Sequence, residues 1–281
     1  PDGFCLPFGA YANAMAQWGL AEKMARMQQL PGFDSDPAVR RGALARLRAE
    51  IEHMPLDASL TRSWQQRWAS QLKNAGVFVR SSSSSEDLPG FSGAGLYTTV
   101  PNVQASSGEQ ALPDAVRKVW ASVFNFEAWE ARRAAGITQD AVAMAVLVQK
   151  AVDSDASGVM ITRDPFTDAP HSVFIAAKRG IGIRVVEGQR VAEQVLYSRW
   201  SKAAQVLSRS AEDTELRLDP QGGVREVAVT QRVVLTDDLV KRLADVGAAV
   251  QARFSAQPQD IEWAVKGENI LVLQSRPFVQ K

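Results

Sequence analysis

The hydrophobic pattern of residues 1–75 predicts helices. Leu44, Leu47 and Ile51 recur at the spacing of one helical face, which is typical of an amphipathic helix packed on a core. The pair Asp36-Pro37 precedes them and combines a capping side chain with a proline at the first helical position. We therefore predict a helix that begins at Pro37.

Two further helical stretches follow. Asp57 is predicted to cap a second helix that ends before Gly76, and residues 109–135 are predicted to be helical again. The second helix has an apolar side chain at every fourth position: Leu60, Trp64, Trp68 and Leu72. The 109–135 stretch gathers its apolar residues on one face: Val116, Val119, Trp120, Val123 and Phe124. Both patterns predict helices with one buried side.

Short runs of β-type residues occupy most of the remaining chain. Two of them, 77–79 and 96–100, flank a loop rich in serine and glycine. The later runs are predicted as strands: 142–149, 158–162, 172–177, 194–197 and 224–229. A helix at about 237–254 and a hairpin at 259–275 complete the pattern. Because helices and strands are interleaved, the sequence predicts an α/β or α+β fold.

The charge balance narrows the possible partners. The 281-residue chain has 32 Lys and Arg against 31 Asp and Glu, a formal net charge of +1. Domains that bind nucleic acid phosphates are usually far more basic, so we expect no nucleic acid partner. The longest apolar stretch, 141–148, is too short to span a membrane. We therefore expect a soluble, cytoplasmic protein without a membrane partner.

The helix at 37–53 leaves one alternative open. It carries four arginines mostly outside its apolar stripe: Arg40, Arg41, Arg46 and Arg48. Together with the nearby tryptophans, they permit an interpretation as an RNA-associated helical protein. The balanced total charge favours the simpler interpretation, in which these arginines form a solvated face opposite the buried one.

The C-terminal hairpin is the most informative segment. Asp260 and Glu262 are two residues apart in the sequence QDIEW, so on a strand both project from the same face. Ile261 and Trp263 then project from the opposite face. The sequence KGEN at 266–269 supplies the turn.

The register of this hairpin decides what its polar face can do. If the hairpin is centred near Glu268, Glu262 lies opposite Gln274 and Asp260 lies opposite Arg276. Two carboxylates, an amide and a guanidinium then share one face, and oxygen ligands of this kind suit Mg²⁺ that is shared with a phosphate. The alternative is an exposed hairpin with cross-strand salt bridges.

A second candidate site begins at Arg80, at the end of a predicted strand. Its guanidinium can present a planar fork to a phosphate. The SGAG sequence at 92–95, which includes Gly93 and Gly95, lets backbone N–H groups approach an anion closely. The chain has no P-loop motif, and a glycine-serine loop of this kind can also be an ordinary turn.

Other reactive side chains give weaker signals. Gln149 ends an apolar run and is placed to line the edge of a pocket, although its periodicity is ordinary. His53 and His171 lie near predicted turns, where we expect surface residues and not catalytic bases. Cys5 is the only cysteine; it excludes an internal disulfide, and we expect it to serve in packing.

Several motifs follow one another along the chain: VRSS at 79–82 with SEDLPGFSG at 85–93, VQ at 148–149 with SGVMIT at 157–162, and DIEW at 260–263 with LQSRP at 273–277. In this order they resemble the nucleotide-binding domain family of the phosphoenolpyruvate and pyruvate dikinases. This family includes phosphoenolpyruvate synthase, pyruvate phosphate dikinase, rifampin phosphotransferase and glucan water dikinase.

The resemblance implies an ATP-grasp fold with two lobes that clamp a nucleotide. Residues 1–140, with a helical insertion at about 10–75, would form the first lobe, and residues 141–281 would form the second. It also implies a role for each matched residue, listed here by role: Arg80 and Arg276 on the ATP phosphates, Gly93 and Gly95 in the phosphate loop, Gln149 on the adenine side, and Glu262 and Gln274 as Mg²⁺ ligands supported by Asp260.

The implied activity is an ATP-dependent phosphotransfer. Enzymes of this family cleave ATP and pass phosphate to a histidine on a separate domain, and then to an acceptor such as pyruvate, a glucan or an antibiotic. Neither histidine of this chain lies in the T-S-H motif of that domain, and the family's upstream lysine would precede Pro1. We therefore expect a piece of a longer enzyme that is inactive alone and depends on a phosphohistidine domain as its partner.

One departure from the family pattern keeps an alternative open. Ile183 stands where the family's G-L-G-E segment has a carboxylate, here in the sequence GIGI at 180–183. The chain could therefore be a non-catalytic module that retains the fold and its nucleotide affinity.

Overall fold

The computed structural model describes residues 1–85, 88, 91, 93, 95–183, 192–229 and 233–278. The chain is a mixture of helices and antiparallel sheets, as expected for the α+β class, and it divides into two compact units. The N-terminal unit comprises Asp2–Ala151 and Pro220–Gly223. The C-terminal unit comprises Val152–Asp219 and Val224–Lys281, together with Pro1.

The N-terminal unit contains a helical layer and one sheet. Its α-helices are α1 (Phe8–Gln17), α2 (Leu20–Gln28), α3 (Pro37–Glu52), α4 (Ala58–Leu72), α5 (Ala111–Ala121) and α6 (Phe126–Ala134). Its strands are β1 (Gly3–Leu6), β2 (Val77–Ser83), β3 (Val100–Val103) and β4 (Met144–Lys150). The strands form an antiparallel sheet in the order β1-β4-β2-β3.

The predicted helix starts are confirmed. Asp36 caps α3 by accepting a hydrogen bond from the Ala38 N–H, and Pro37 occupies the first helical turn. Asp57 caps α4 by accepting from the backbone N–H groups of Ser59 and Leu60. These carboxylates satisfy backbone donors that have no partner inside the helix.

The core of the N-terminal unit is built on α5, which contacts strands β2–β4 as well as α3 and α4. Trp120 on α5 is fully buried and makes edge-to-face contacts with Tyr11 and Trp64, each with ring centroids 5.8 Å apart. Such pairs stabilise a core by about 0.5–1.5 kcal/mol beyond the burial of their area. The apolar faces predicted from the helical spacing are the faces that are buried.

Arg40 corrects the expectation of a solvated arginine face on α3. Its side chain is 3% exposed and donates to Glu130 from Nε (2.5 Å) and Nη2 (3.0 Å), and to the carbonyl oxygen of Phe33 (2.6 Å). A buried guanidinium is tolerated when a carboxylate and carbonyl oxygens satisfy its donors. Arg40 therefore joins α3 to α6, whereas Arg41 and Arg46 are exposed as predicted.

The C-terminal unit contains a six-stranded antiparallel sheet, a two-stranded ribbon and one long helix among its described residues. The helix is α7 (Asp237–Arg253). The large sheet has the order β12-β11-β5-β6-β7-β8, and the ribbon pairs β9 with β10. The strands are β5 (Ala156–Ile161), β6 (Ser172–Arg179), β7 (Glu193–Ser198), β8 (Ala204–Ser208), β9 (Thr214–Leu218), β10 (Val224–Ala228), β11 (Gln259–Lys266) and β12 (Asn269–Pro277).

One face of the large sheet packs against α7. Ile261 and Trp263 on β11 are fully buried in a cluster that includes Val240 and Leu243 of α7. Glycine 247 of the same helix lies against β5, where a Cβ atom would be 3.3 Å from Met160 Sδ. The apolar alternation of QDIEW therefore faces the helix, as its period of two predicts.

Three features differ from the expectations. Strand β1 lies within the segment predicted as helical, and the weakly patterned strands β8 and β9 have no counterpart among the predicted runs. Strand β4 pairs with β1 and β2 and belongs to the N-terminal unit, which extends to Ala151; the lobe boundary at 140/141 stays a prediction. Cys5 is exposed on β1 and does not serve in packing.

Across the described part of the chain, no helix has the length and apolar character needed to cross a membrane.

Candidate functional site

The closing hairpin of the C-terminal unit has the predicted register. Glu262 on β11 is directly opposite Gln274 on β12, and Asp260 is directly opposite Arg276. All four side chains are partly exposed, in contrast to the buried Ile261 and Trp263 between them. The hairpin therefore presents two carboxylates, an amide and a guanidinium on the sheet face that α7 does not cover.

Asp260 and Arg276 form a close ion pair on this face. Arg276 donates to Asp260 Oδ2 from Nε at 3.0 Å and from Nη2 at 2.8 Å. The two side chains are 22% and 27% exposed, so solvent screens the pair only in part. The carboxylate holds the guanidinium plane in one orientation, which makes Asp260 a positioning group for Arg276.

A β-bulge lies beside Glu262. The register changes from Glu262 opposite Gln274 to Trp263 opposite Val272, so Leu273 is the extra residue on β12. A bulge bends a strand and redirects its side chains, and bulges are common beside functional sites. Here the bulge lets Gln274 stay on the polar face while Val272 packs near the core.

An apolar patch continues from the polar face across the sheet. Val159 on β5 is opposite Glu262, and Ile161 is opposite Asp260. On β6, Phe174 is opposite Ile161 and belongs to a small cluster with Val159 and Ile161. The C-terminal unit thus places charged and amide groups next to apolar surface, an arrangement suited to a ligand with an anionic end and a flat apolar end.

In the N-terminal unit, Arg80 and Gln149 come together on neighbouring strands. Phe78 is opposite Gln149 and Arg80 is opposite Leu147 across β2 and β4. The Arg80 Nη1 donates to Gln149 Oε1 at 3.2 Å. Gln149 is 9% exposed, and its side-chain oxygen accepts the bond from Arg80. It therefore orients the Arg80 guanidinium, which is partly exposed.

The two predicted loop glycines are described. Gly93 is buried and accepts a hydrogen bond from the Leu96 N–H at 3.1 Å. Gly95 has φ +75°, and a Cβ atom there would meet nothing within 4 Å, so its requirement for glycine comes from the left-handed backbone. Residues 86, 87, 89, 90, 92 and 94 of the same motif lie outside the described residues.

The sequence did not predict a buried polar network beside this loop. Ser85 Oγ is 3.0 Å from the Tyr97 hydroxyl, and Arg132 Nη1 donates to that hydroxyl at 3.1 Å. Arg132 lies on the buried face of α6 together with Ala128 and Trp129. From sequence alone, an arginine in a helix is normally expected to be solvated. The only available signal was its place on the buried side of the helix.

The predicted site residues are divided between the two units. Arg80 with Gln149, and Gly93 with Gly95, belong to the N-terminal unit. The hairpin residues belong to the C-terminal unit: Asp260, Glu262, Gln274 and Arg276. Each group is assembled by strand pairing or a turn within its own unit.

The donor set fits Mg²⁺ if a ligand supplies further oxygens. Glu262 and Gln274 contribute two oxygen-bearing side chains to one face. In the part of the chain that the structure describes, no three His, Cys, Asp or Glu side chains form a metal-holding group. Mg²⁺ commonly binds through one or two carboxylates, with water and phosphate oxygens completing its shell. Asp260 is engaged by Arg276, so it fits the supporting role better than that of a direct ligand.

Arg80 in the N-terminal unit and Arg276 in the C-terminal unit each offer a guanidinium group, which can bind phosphate oxygens through two parallel hydrogen bonds. The chain belongs to the family described as the pyruvate phosphate dikinase AMP/ATP-binding domain, whose sequence profile matches residues 1–281. This confirms the resemblance found in the sequence motifs.

Similar proteins carry names of two kinds. A rifampicin phosphotransferase of Streptomyces sviceus is 31% identical over 282 residues, which cover 99% of this chain and 32% of that protein. A probable phosphoenolpyruvate synthase of Archaeoglobus fulgidus is 29% identical, covering 99% of this chain and 37% of that protein. A rifampicin phosphotransferase of Bacillus subtilis is 29% identical, covering 99% and 32%. The chain thus spans about a third of the length of these relatives.

Proposed function

We propose that this chain is the ATP-binding domain of a dikinase-like phosphotransferase, with the two units acting as the lobes of an ATP-grasp fold. Arg80 and Arg276 would approach the phosphates of ATP, and Gln149 would approach its adenine. Family membership and the motif positions support this proposal. The observation that carries it is the register of the closing hairpin, which pairs Glu262 with Gln274 beside Arg276.

The residues of this site would act mainly by position and charge. Phosphoryl transfer asks for little covalent help from the protein, because the barrier is lowered chiefly by aligning the phosphates and neutralising their charge. Glu262 and Gln274 would hold Mg²⁺, which supplies positive charge to the phosphate oxygens when it is bound. Asp260 fixes the Arg276 guanidinium, and Gly93 and Gly95 would offer backbone N–H groups to the phosphates.

The destination of the phosphate belongs to the same proposal. A histidine on a separate domain would receive phosphate from ATP and pass it to an acceptor such as pyruvate, a glucan or an antibiotic. His53 and His171 are both exposed, and neither lies in a T-S-H sequence. We therefore place the phosphate carrier on another domain.

Nucleotide titration with a matched pair of variants tests the proposal. Calorimetry on the full-length protein should show ATP binding that depends on Mg²⁺. Glu262→Gln should raise the Mg²⁺ concentration needed for half-maximal binding by roughly tenfold or more, because a carboxylate ligand is lost. Glu268→Gln is the control: it is the same substitution in the same hairpin, at a side chain 97% exposed. Absence of ATP binding, or identical Mg²⁺ dependence in both variants, would contradict the proposal.

Ile183 favours a second candidate function, a nucleotide-binding module without catalysis. This residue is partly buried and follows Gly182, where the family pattern has a carboxylate. A search for phosphohistidine in the full-length protein after incubation with ATP separates the two candidates. Acid-labile labelling supports the phosphotransferase, and ATP binding without any labelling supports the module.

A further inference from the structure

The two ends of the glycine loop are joined by hydroxyl groups. Ser85 precedes the loop and Tyr97 follows it, and their hydroxyl oxygens are 3.0 Å apart. Ser85 Oγ also lies 3.0 Å from Ser83 Oγ, which accepts the Ser85 N–H at 3.2 Å. All three residues are buried. The chain that leaves β2 is thus fixed to the chain that returns from the loop.

Arg132 on α6 holds the Tyr97 hydroxyl in place. Its side chain is fully buried, and Nη1 donates to the Tyr97 hydroxyl at 3.1 Å. Nη2 donates to the Val123 carbonyl at 2.6 Å, and Nε donates to Gln139 Oε1 at 2.8 Å. Gln139 is itself fixed, since its Nε2 donates to the Trp129 carbonyl at 3.1 Å. Each of the three guanidinium nitrogens donates a hydrogen bond, so the plane of the group has one orientation.

The direction of the bond between Arg132 and Tyr97 follows from the chemistry of the donor. A guanidinium can only donate hydrogen bonds, so the Tyr97 oxygen accepts from Arg132. In the contact between Tyr97 and Ser85, either hydroxyl can be the donor. Hydrogen bonds in such a chain polarise one another, and a charged first donor strengthens those that follow. The order Arg132, Tyr97, Ser85, Ser83 therefore extends from a buried cation to the start of the loop.

The contacts of Arg132 among the described residues include no carboxylate. Its partners are a carbonyl, an amide and a phenol, and the Tyr97 ring centroid lies 6.0 Å from Cζ. Burying a cation without an opposite charge costs free energy. Burial raises the pKa of the neighbouring Tyr11 phenol, which leaves that side chain neutral. The positive charge beneath the loop is thus not neutralised by these neighbours.

A second contact fixes the end of the loop. Asn125 Nδ2 donates to the Leu96 carbonyl at 3.0 Å, and Arg48 Nη1 donates to Asn125 Oδ1 at 2.9 Å. Leu96 in turn donates its N–H to Gly93. The fixed segment therefore includes Leu96 and Tyr97 and is linked directly to a predicted phosphate-loop glycine.

We propose that Arg132 and Tyr97 are positioning residues that fix Ser85 and the adjoining Leu96, and through the Leu96–Gly93 hydrogen bond the Gly93 backbone, for binding the phosphates of ATP. This inference rests on the proposed function for the identity of the ligand. Neither side chain touches the nucleotide in this scheme. The buried cation fixes the phenol, and the phenol fixes Ser85.

Tyr97→Phe is the sharpest test, because it removes one oxygen and keeps the ring. In the full-length protein we expect Mg²⁺-ATP affinity to fall by roughly tenfold, because the hydroxyl that links Arg132 to Ser85 is lost. Adenosine affinity should be unchanged, because adenosine has no phosphates. Ser85→Ala should give a selective loss of the same kind, and the double variant should lose less than the sum of the two single variants, because both substitutions remove the Ser85–Tyr97 bond. Tyr197→Phe, at a tyrosine 5% exposed in the C-terminal unit, is the matched control.

Hydrogen–deuterium exchange supplies a readout that does not depend on nucleotide. Peptides covering Ser85 and Leu96 should exchange faster in Tyr97→Phe, whereas peptides from β5 and β11 should be unchanged. Equal loss of ATP and adenosine affinity, or unchanged exchange at the loop, would overturn the inference. If the wild-type protein binds neither nucleotide, the proposed function fails, and the exchange at Ser85 and Leu96 still decides whether Tyr97 fixes the loop.

Discussion

Gly158 on β5 and Trp263 on β11 lie directly opposite each other in the large sheet. A Cβ atom at position 158 would clash with the Ala176 carbonyl oxygen and lie 2.8 Å from Trp263 Cζ2. Trp263 is fully buried, so its indole cannot move out of the way. Position 158 must therefore be a glycine to leave room for the Trp263 ring, although the two residues are about a hundred positions apart in the sequence.

Gly158→Ala should therefore destabilise the C-terminal unit strongly. The added methyl group meets backbone and a buried ring, so neighbouring strands must separate, at a cost of about 3 kcal/mol or more. Urea unfolding followed by circular dichroism measures the loss.

Gly42→Ala is the matched control for this substitution. Gly42 lies inside α3, and a Cβ atom there would meet nothing within 4 Å. Alanine is preferred to glycine in a helix, so this variant should be more stable by about 0.5–1 kcal/mol. Equal stability of Gly158→Ala and the wild-type protein would show that the sheet accommodates a side chain at this position.

The fold was predictable where apolar periodicity is strong. The buried faces of α3, α4 and α5 follow directly from residue spacing, and so does the register of the closing hairpin. Strand β8 has a mostly exposed pattern at the sheet edge, so it gives no alternation to detect. Strand β1 has only four residues, and its pairing with the distant β4 supplies the stability that its local sequence lacks.

Asp260→Asn should impair the proposed site through Arg276. An asparagine keeps the shape but removes the charge that holds the guanidinium by two donors. We expect weaker ATP binding, by roughly tenfold, with the Mg²⁺ concentration at half-maximal binding unchanged. Calorimetric titration of ATP at several fixed Mg²⁺ concentrations separates the two effects.

Asp238→Asn serves as the control for Asp260→Asn. Asp238 is 77% exposed on α7 and pairs with Arg242 one turn away, so its loss should leave ATP binding unaltered. A shift of the Mg²⁺ requirement in Asp260→Asn would instead make Asp260 a direct ligand.

Asp155 should make stability depend on pH at the acidic end. The Gly267 N–H, which donates to Oδ2 at 2.8 Å, together with Lys266 and Arg217, lowers the pKa of this carboxyl below its ordinary value. The carboxylate is the form that is stabilised, so its contribution is complete above about pH 4 and is lost as the pH falls through the lowered pKa. The side chain is 42% exposed, so the contribution is below about 1 kcal/mol.

Asp155→Asn isolates this contribution. The variant should unfold at lower urea concentration than the wild-type protein at pH 7, and the difference should shrink as the pH is lowered below about 4. Urea unfolding at a series of pH values measures it. A difference that stays constant over this range would mean that the carboxylate charge does not stabilise the fold.

The candidate site was only partly predictable. Arg80, Gln149 and the hairpin residues stand at strand positions whose alternation can be read from the sequence. Arg132 could not be found in this way, because its burial depends on partners far along the chain, such as Tyr97. Arg40 was misplaced for the same reason, since its partner Glu130 is on another helix.

Arg80→Ala tests the N-terminal half of the proposed site. The guanidinium lies beside Gln149, where it would neutralise phosphate charge as that charge shifts during transfer. Removing one well-placed cationic donor should slow phosphoryl transfer in the full-length enzyme by about 10²–10³. Arg80 lies in the middle of the β2–β4 pair and not at the strand end expected from the sequence, and its side chain is only partly buried, so the thermal midpoint should change little. Arg62→Ala, at an exposed arginine of α4 in the same unit, should retain full turnover. Near-normal turnover of Arg80→Ala would show that Arg80 does not neutralise phosphate charge during transfer.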